Sequence, residues 1–296
     1  MKVEASPQGK SQNNMESEKE TGYILIAADG SPTSESAARA AIEIAVAEKR
    51  PVHGLYVVDE TLVFNSYTDY QEELAGQVEP KSQAELVSWF EERGNLVLQS
   101  LENTAQAAGV PVTTSILFGG FPDILLDQAE KAFLVAVGRR GVRHPKEIDR
   151  LGSHFQTIAY HSPVPTLAGG GQVRRLERLL VAYDGSENSE KALLWGKRLR
   201  SELQAVLAIV AVNEEQKPAS AWLAEIQEHL NQIELSDFQI LTGWGDPVPR
   251  ILEAIIETKA DLLLMGRYRH TALLKWLVGS KVDQILRKSQ LPVLVV

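Results

Sequence analysis

Two short motifs that could bind an anion or a nucleotide each occur twice in this chain of 296 residues. The first is an apolar run that ends in Asp-Gly-Ser, with its carboxylate at Asp29 and again at Asp184. The second is a glycine-punctuated loop after another apolar run, and it begins at Gly138 and again at Gly266. An aspartate at a strand end can accept a hydrogen bond from a ribose hydroxyl or from an exocyclic amine of a base. Because both motifs are duplicated, we interpret the chain as two homologous domains.

The glycine loops have the composition of a phosphate-binding loop. Gly138 and Gly141 would let backbone N–H groups approach an oxyanion without interference from a Cβ atom. Gly152 and Ser153 would then begin a helix, whose free N–H groups and positive dipole end favour phosphate. The Ser153 hydroxyl could donate to phosphate or cap the helix. The corresponding residues of the second loop are Gly266, Arg269, Gly279 and Ser280.

Basic residues are concentrated in these two loops, although the whole chain has a net charge of −9. Residues 138–153 contain five Lys or Arg against two acids, and residues 266–281 contain four and no acid. The pattern favours local anion sites, and the alternative is that these cations only solvate exposed loops. The negative total argues against general nucleic-acid binding, which usually needs a basic face.

Composition limits the chemistry further. The chain has no cysteine, which excludes disulfides and thiolate metal sites. Its six histidines form no metal-binding spacing, so we expect no metal site of their own. No apolar run reaches the roughly 20 residues that span a bilayer, and residues 1–20 are polar without an apolar segment. We therefore expect a disordered tail over residues 1–20, no membrane contact and a cytoplasmic location.

Apolar strand patterns alternate with helical patterns through both halves, which is typical of an α/β fold with parallel strands covered on both faces. A long helix is predicted within residues 82–108, after a segment at 60–81 whose counterpart in the second half is only the short stretch at 214–218. Ser31 and Ser186 are expected to be helix N-caps. We predict domains at residues 21–168 and 176–296, joined by a flexible linker at 169–175 that begins with three glycines.

The ordered motifs, a strand with Asp-Gly-Ser and then G-x2-G-x9-G-[S/T], resemble the universal stress protein family. Two copies in one chain resemble its tandem-domain members, and the resemblance covers about residues 22–296. Both copies depart from the pattern. Ten residues separate Gly141 from Gly152, and Arg269 replaces the middle glycine of the second loop. The resemblance implies two tandem doubly wound parallel five-stranded sheets, each of strand order 3-2-1-4-5 with helices on both faces.

The resemblance also implies that ATP or AMP, with or without Mg²⁺, is held by these loops in some members, whereas other members bind no nucleotide. We interpret the chain as a stress-response regulator that binds adenine nucleotide and acts through an unidentified protein partner. The alternatives are a nucleotide-free scaffold of the same fold and a slow ATP hydrolase. No general base with a partnered nucleophile is evident, so substantial turnover is not expected. The predicted nucleotide-binding residues are Asp29, Gly138, Gly141, Gly152, Ser153, Asp184, Gly266, Arg269, Gly279 and Ser280.

The last strand of each half, at residues 164–167 and 292–296, is apolar and would lie at a sheet edge that is prone to pair with another strand. The resemblance implies that such edges pair between protomers. Here the two halves could pair internally as a pseudo-dimer, and whole chains could dimerise further. Phe121 and Trp244 follow the third strand of each half, where they could line a pocket or pack in the core.

Overall fold

A computed structural model describes residues 22–60, 82–140, 153–171, 175–213, 218–232, 236–267 and 281–296. Within these residues, strands and helices alternate in both halves of the chain. The strands of the first half are β1 (Tyr23–Ala27), β2 (Val52–Asp59), β3 (Val112–Gly119), β4 (Ala132–Val137) and β5 (Thr166–Ala168). The strands of the second half are β6 (Arg178–Tyr183), β7 (Val206–Asn213), β8 (Phe238–Trp244), β9 (Leu262–Met265) and β10 (Val293–Val295).

Eight helices connect the strands within the described residues. Those of the first half are α1 (Pro32–Glu48), α2 (Gln83–Ala107), α3 (Phe121–Ala129) and α4 (Ser153–His161). Those of the second half are α5 (Glu187–Leu203), α6 (Ala219–Gln232), α7 (Pro247–Thr258) and α8 (Lys281–Lys288). No helix among the described residues combines the length and the apolar character that crossing a bilayer requires.

The sheet has the predicted order in each half and is continuous between them. Its ten strands run β3-β2-β1-β4-β5-β10-β9-β6-β7-β8, so each half has the order 3-2-1-4-5. All pairings within a half are parallel. β5 and β10 pair antiparallel, with Leu167 opposite Leu294 at the centre. The α/β fold and the internal pseudo-dimer are therefore confirmed.

The helices cover the sheet as two layers. One core cluster lies against α1, α2, α5 and α6, and the other lies against α3, α4, α7 and α8. Each cluster contains buried residues from both halves, so the core continues across the β5–β10 junction. The central strand β4 is buried along its whole length, as parallel strands covered on both faces require.

The helices that follow β1 and β6 begin and end with the same local signals. Ser31 and Ser186 are the N-caps of α1 and α5, and each accepts a hydrogen bond from a backbone N–H three residues later at 3.2 Å. Lys49 and Gln204 end these helices in the left-handed conformation. Both serines are therefore structural caps, as predicted.

The helices α1 and α5 also hold the two halves together on one face of the sheet. Arg198 of α5 donates two hydrogen bonds to Glu48 of α1, at 2.7 and 2.6 Å. In this bidentate pair the Glu48 side chain is only 4% exposed, whereas the Arg198 side chain is 39% exposed, so only the carboxylate is shielded from solvent. Trp195 packs against Phe133 beside it, with ring centroids 5.0 Å apart.

The first two glycines of the predicted linker are buried in close packing, so the flexibility expected of residues 169–175 does not apply to them. A Cβ atom on Gly169 would overlap the carbonyl oxygen of Thr33, and one on Gly170 would overlap the backbone of Leu291. The N–H of Gly170 donates to the Ser36 hydroxyl at 3.0 Å. These glycines let the chain pass between α1 and the end of the second half.

Replacing Gly169 with Ala should lower the free energy of unfolding by about 3 kcal/mol, the upper end of the cost of overpacking a core. The overlapping atom is a backbone oxygen at the start of α1, which cannot rotate away. Urea denaturation followed by circular dichroism would measure the change.

The matched control for this substitution is Gly109→Ala. Gly109 has a φ of 73°, and none of the residues that the structure describes has an atom within 4 Å of its added Cβ. Only the left-handed backbone is therefore penalised, by about 1 kcal/mol. Equal losses for the two variants would contradict the packing role of Gly169.

Candidate functional site

The two aspartates of the repeated motif lie in the same turn at the ends of β1 and β6. The backbone N–H of Ser31 donates to Oδ1 of Asp29 at 2.8 Å, and that of Ser186 donates to Oδ1 of Asp184 at 3.0 Å. The glycine inside each turn has a φ near 80°, which favours glycine over other residues. Each carboxylate is thus fixed in place by the turn that carries it.

The carboxyl group of Asp184 is held in its ionised form. Burial raises the pKa of Asp184, but hydrogen bonds from Ser186 and Ser189 outweigh the burial and leave the pKa below its ordinary value. At neutral pH this side chain is therefore an anionic hydrogen-bond acceptor.

Gly138 and Gly266 bring the second motif against the first. A Cβ atom on Gly266 would lie 2.5 Å from the carbonyl carbon of Asn188 and 2.7 Å from the backbone nitrogen of Ser189. On Gly138 it would lie 2.9 Å from the backbone nitrogen of Ser34. The expected proximity of the two motifs is confirmed in both halves. Close contact with the helix after the aspartate turn, α1 or α5, explains why glycine is needed at these two positions, in addition to any approach of phosphate.

Side chains at the start of α1 and α5 also bind the glycine loops directly. The hydroxyls of Ser31 and Thr33 donate to the carbonyl oxygen of Arg140 at 3.0 and 2.9 Å. In the second half, the amide of Asn188 donates to the carbonyl oxygen of Arg267. Arg140, two residues after Gly138, and Arg267, directly after Gly266, are therefore bound to the start of the helix that follows the aspartate turn.

A cleft of about 930 Å³ lies at the carboxyl ends of β6, β7 and β9 in the second half. Asp184 and Gly266 line it at the two strand ends, and the first residues of α8, Lys281 and Val282, line it opposite. Trp222 of α6 is one of its apolar side chains. Seven apolar side chains that line this cleft are called the second cleft cluster, after the half that carries them. They are Val210, Val212, Trp222, Ile226, Ile251, Val282 and Ile285.

In the first half, α2 lies over the corresponding turn. A Cβ atom on Gly30 would be 2.9 Å from the Val97 side chain of α2, whereas one on Gly185 would have no atom of the described residues within 4 Å. About one turn earlier in the same helix, an added Cβ on Gly94 would be 2.6 Å from the ring of Tyr56 on β2. Among the described residues, the Val97 side chain therefore lies against the aspartate turn of the first half, and no such contact is made at Gly185 in the second.

Sequence reasoning missed Trp222, which lines the cleft and is 8% exposed. Trp222, Ile226 and Leu230 have the spacing of an ordinary core stripe on a helix, so the pattern gives no separate signal. Trp244, expected to line a pocket or pack in the core, is half exposed and contacts Trp222 with ring centroids 5.6 Å apart. Phe121 instead stacks on His154 in the first half, at 5.7 Å.

Arg139 and Arg267 directly follow Gly138 and Gly266, and both were expected to contribute to an anion site. This expectation is wrong for their guanidinium groups. Arg139 is buried and donates to the carbonyl oxygens of Leu286, Ser289 and Leu291 in the second half. Arg267 donates to carbonyl oxygens of the first half, with Ser162 at 2.8 Å. Both guanidinium groups therefore donate to backbone carbonyl oxygens of the opposite half.

The remaining predicted site residues cannot be placed in the same way. Gly141, Gly152, Arg269, Gly279 and Ser280 lie outside the described residues. Ser153 is described only as the first residue of α4. Within the described ranges, no group of three or more His, Asp or Glu side chains is placed to hold a metal ion.

Comparison with known proteins gives consistent matches along the chain. The model of the universal stress protein family matches residues 22–168 and again residues 175–296. The universal stress protein Slr1230 of Synechocystis is 29% identical over 211 residues, which are 69% of this chain and 71% of that protein. A universal stress protein of Thermus aquaticus is 30% identical over 135 residues, which are 40% of this chain and 96% of that protein.

A solved structure has the same fold across nearly the whole chain. The crystal structure of a universal stress protein from Archaeoglobus fulgidus superposes with a TM-score of 0.72 at 22% identity. The match covers 94% of this chain and 96% of that one. Both halves of the present fold, with their junction, are therefore shared with that solved protein.

Replacing Asp184 with Asn should destabilise the protein at neutral pH, and the loss should disappear in acid. The lowered pKa means that the ionised carboxylate stabilises the folded state at every pH above its unfolded pKa of about 3.9. As the pH falls through the lower folded pKa, the wild type loses that contribution, whereas Asn never had it. Urea unfolding of both proteins at pH 7, 5 and 3 would show the difference shrinking below about pH 4. A difference that stays constant over this range would refute the ionised state of Asp184.

Proposed function

Because the chain belongs to the universal stress protein family, we propose that it binds one adenine nucleotide, ATP or AMP, in the cleft of its second half. In this proposal the first half binds no nucleotide, and the protein acts in the stress response through contacts with a protein partner. The cytoplasm stays the expected location, since the chain has no cysteine.

The observation that carries the proposal is the open cleft at the carboxyl ends of β6, β7 and β9. Ligands of doubly wound sheets bind beyond the carboxyl ends of the strands, where the strand order reverses. Here the reversal lies between β6 and β9. Ligand sites commonly enclose about 300 to 1,000 Å³, and the volume of about 930 Å³ lies within that range.

The lining residues fit an adenine nucleotide in three respects. Asp184 offers an anionic acceptor to a ribose hydroxyl or an exocyclic amine. The second cleft cluster offers apolar side chains, including the Trp222 ring, to a purine. The first residues of α8 offer the positive end of a helix dipole and the Lys281 side chain to phosphates. Any Mg²⁺ would accompany the phosphates.

The first half supports the scaffold alternative for that half alone. Val97 packs over Gly30, a contact that no described residue makes at Gly185 in the second half, so the retained aspartate turn serves the fold. We propose that the first half contributes contact surface and support for the second. Slow ATP hydrolysis remains the lower alternative, and phosphate release that matches the rate of an Asp184→Ala variant would exclude it.

Isothermal titration calorimetry with ATP should give one site per chain, and Asp184→Ala should weaken it by about tenfold or more. The expected loss follows from removing a hydrogen bond to a charged group, worth about 1.5 to 3 kcal/mol. The matched control is Asp29→Ala, which removes the equivalent carboxylate from the half in which α2 covers the turn. It should leave ATP affinity within about twofold of the wild type.

Two other outcomes would overturn the assignment. Two sites per chain, or loss of binding in Asp29→Ala alone, would place nucleotide in the first half. A wild-type protein that neither binds ATP at saturation nor releases adenine nucleotide on denaturation would instead be a nucleotide-free scaffold.

A further inference from the structure

Arg139 and Arg267, which directly follow Gly138 and Gly266, make reciprocal contacts between the halves. Arg139 donates to the carbonyl oxygen of Ser289 at 3.0 Å and also to those of Leu286 and Leu291. Arg267 donates to the carbonyl oxygen of Ser162 at 2.8 Å and reaches that of Val164 at 3.3 Å. Ser289 and Ser162 are equivalent residues, each between the last helix and the last strand of its half. The pseudo-symmetry thus repeats a contact that the basic composition of the loops did not predict.

Arg139 is the more deeply buried of the two, with 2% of its surface exposed. Burial, with repulsion from Arg140, lowers the pKa of Arg139 to about 9, so the guanidinium is still protonated at neutral pH. A buried cation is costly unless acceptors satisfy it fully. Its acceptors are carbonyl oxygens at the C-terminal end of α8, where the helix dipole is negative, and that of Gly169. Displacing α8 would break these bonds, so Arg139 fixes its position.

A second contact from the first half reaches the same helix. Gln156 of α4 donates to Oδ1 of Asp283 at 2.8 Å, and Asp283 is 3% exposed. Arg287, one turn along α8, donates to the other carboxylate oxygen at 2.9 Å. The first half therefore holds α8 in its first turn, at Asp283, and at its C-terminal end.

The N-terminal turn of α8, in which Gln156 binds Asp283, also lines the ligand cleft. Lys281, Val282 and Ile285 line the cleft, and Leu286, which Arg139 binds, is the next residue after Ile285. An eight-residue helix is about 12 Å long and moves as one rigid body. A displacement at its C-terminal end would therefore shift the N–H groups and the lysine offered to phosphate.

We infer that Arg139 of the first half is a positioning residue for the ligand site of the second half, because it holds α8 where that helix lines the cleft. The inference rests on the proposed function. It gives the first half a role at a ligand site although α2 covers its own aspartate turn. It also means that the second half depends on its tandem neighbour for full affinity.

The test compares three variants of the full chain with ATP as the probe. Arg139→Gln should weaken ATP binding about tenfold, within the range typical of coupling between sites, and leave one site per chain. Gln156→Ala, a milder change at the second contact, should weaken it by a smaller factor. The control is Arg198→Gln, which breaks the partly buried pair with Glu48 between the halves on the other face of the sheet. It should lower stability but leave ATP affinity within about twofold.

Hydrogen exchange of the ligand-free proteins separates local opening of α8 from a loss of overall stability when the two variants are compared. Arg139→Gln should accelerate exchange in α8, at residues 282–288, beyond the change caused by Arg198→Gln. If Arg139→Gln does not fold, Arg139→Lys keeps the charge without the planar fork and should show the same effects in weaker form.

The outcomes separate the inference from the proposed function. Wild-type ATP affinity in Arg139→Gln, or equal losses in Arg139→Gln and Arg198→Gln, would overturn the positioning role. Absence of ATP binding to the wild type would overturn the proposed function, and exchange in α8 would then decide whether Arg139 holds that helix.

Discussion

The antiparallel pairing of β5 with β10 is the contact on which the rest of the molecule depends. It joins two apolar edge strands that would otherwise expose unpaired backbone groups, and it makes one sheet of ten strands. The pairing also sets the pseudo-twofold relation that brings the loop after β4 beside α8 and the loop after β9 beside α4. Without this junction, Arg139 and Arg267 would lose the carbonyl acceptors that the opposite half supplies.

Duplication has left two halves with the same frame and different surroundings at the aspartate turn. In both, a glycine at the end of the fourth strand packs on the helix after the first strand, so the two motifs must meet. What differs is the helix after the second strand, 25 residues long as α2 and 14 as α6. α2 covers its turn through Val97, whereas Trp222 and Ile226 of α6 line an open cleft. We therefore assign nucleotide to the second half because of the helix beside its aspartate turn, and not because of the motif, which both halves share.

The helix caps and the alternation of strands and helices could be predicted because they depend on local patterns that occur twice. The strand order and the pairing of the edge strands were expected from the resemblance to the family. The roles of Arg139 and Arg267 could not be predicted, since their acceptors are carbonyl oxygens more than 100 residues away in the chain. A basic loop looks the same in sequence whether its arginines face phosphate or the backbone of another domain. Trp222 was missed for a similar reason, because its helical spacing is that of any core residue. Gly169 and Gly170 looked like a linker because sequence shows a glycine's freedom but not its neighbours.

The central claim is that nucleotide is bound by the second half and not by the first. Photolabelling with 8-azido-ATP, followed by peptide mapping, would test it directly. The account predicts that the label falls on residues lining the cleft, at 182–189, 210–213 or 222–228, and that excess ATP removes it. Label on α2 or on the turn at residues 29–34, removed by the same competitor, would contradict it.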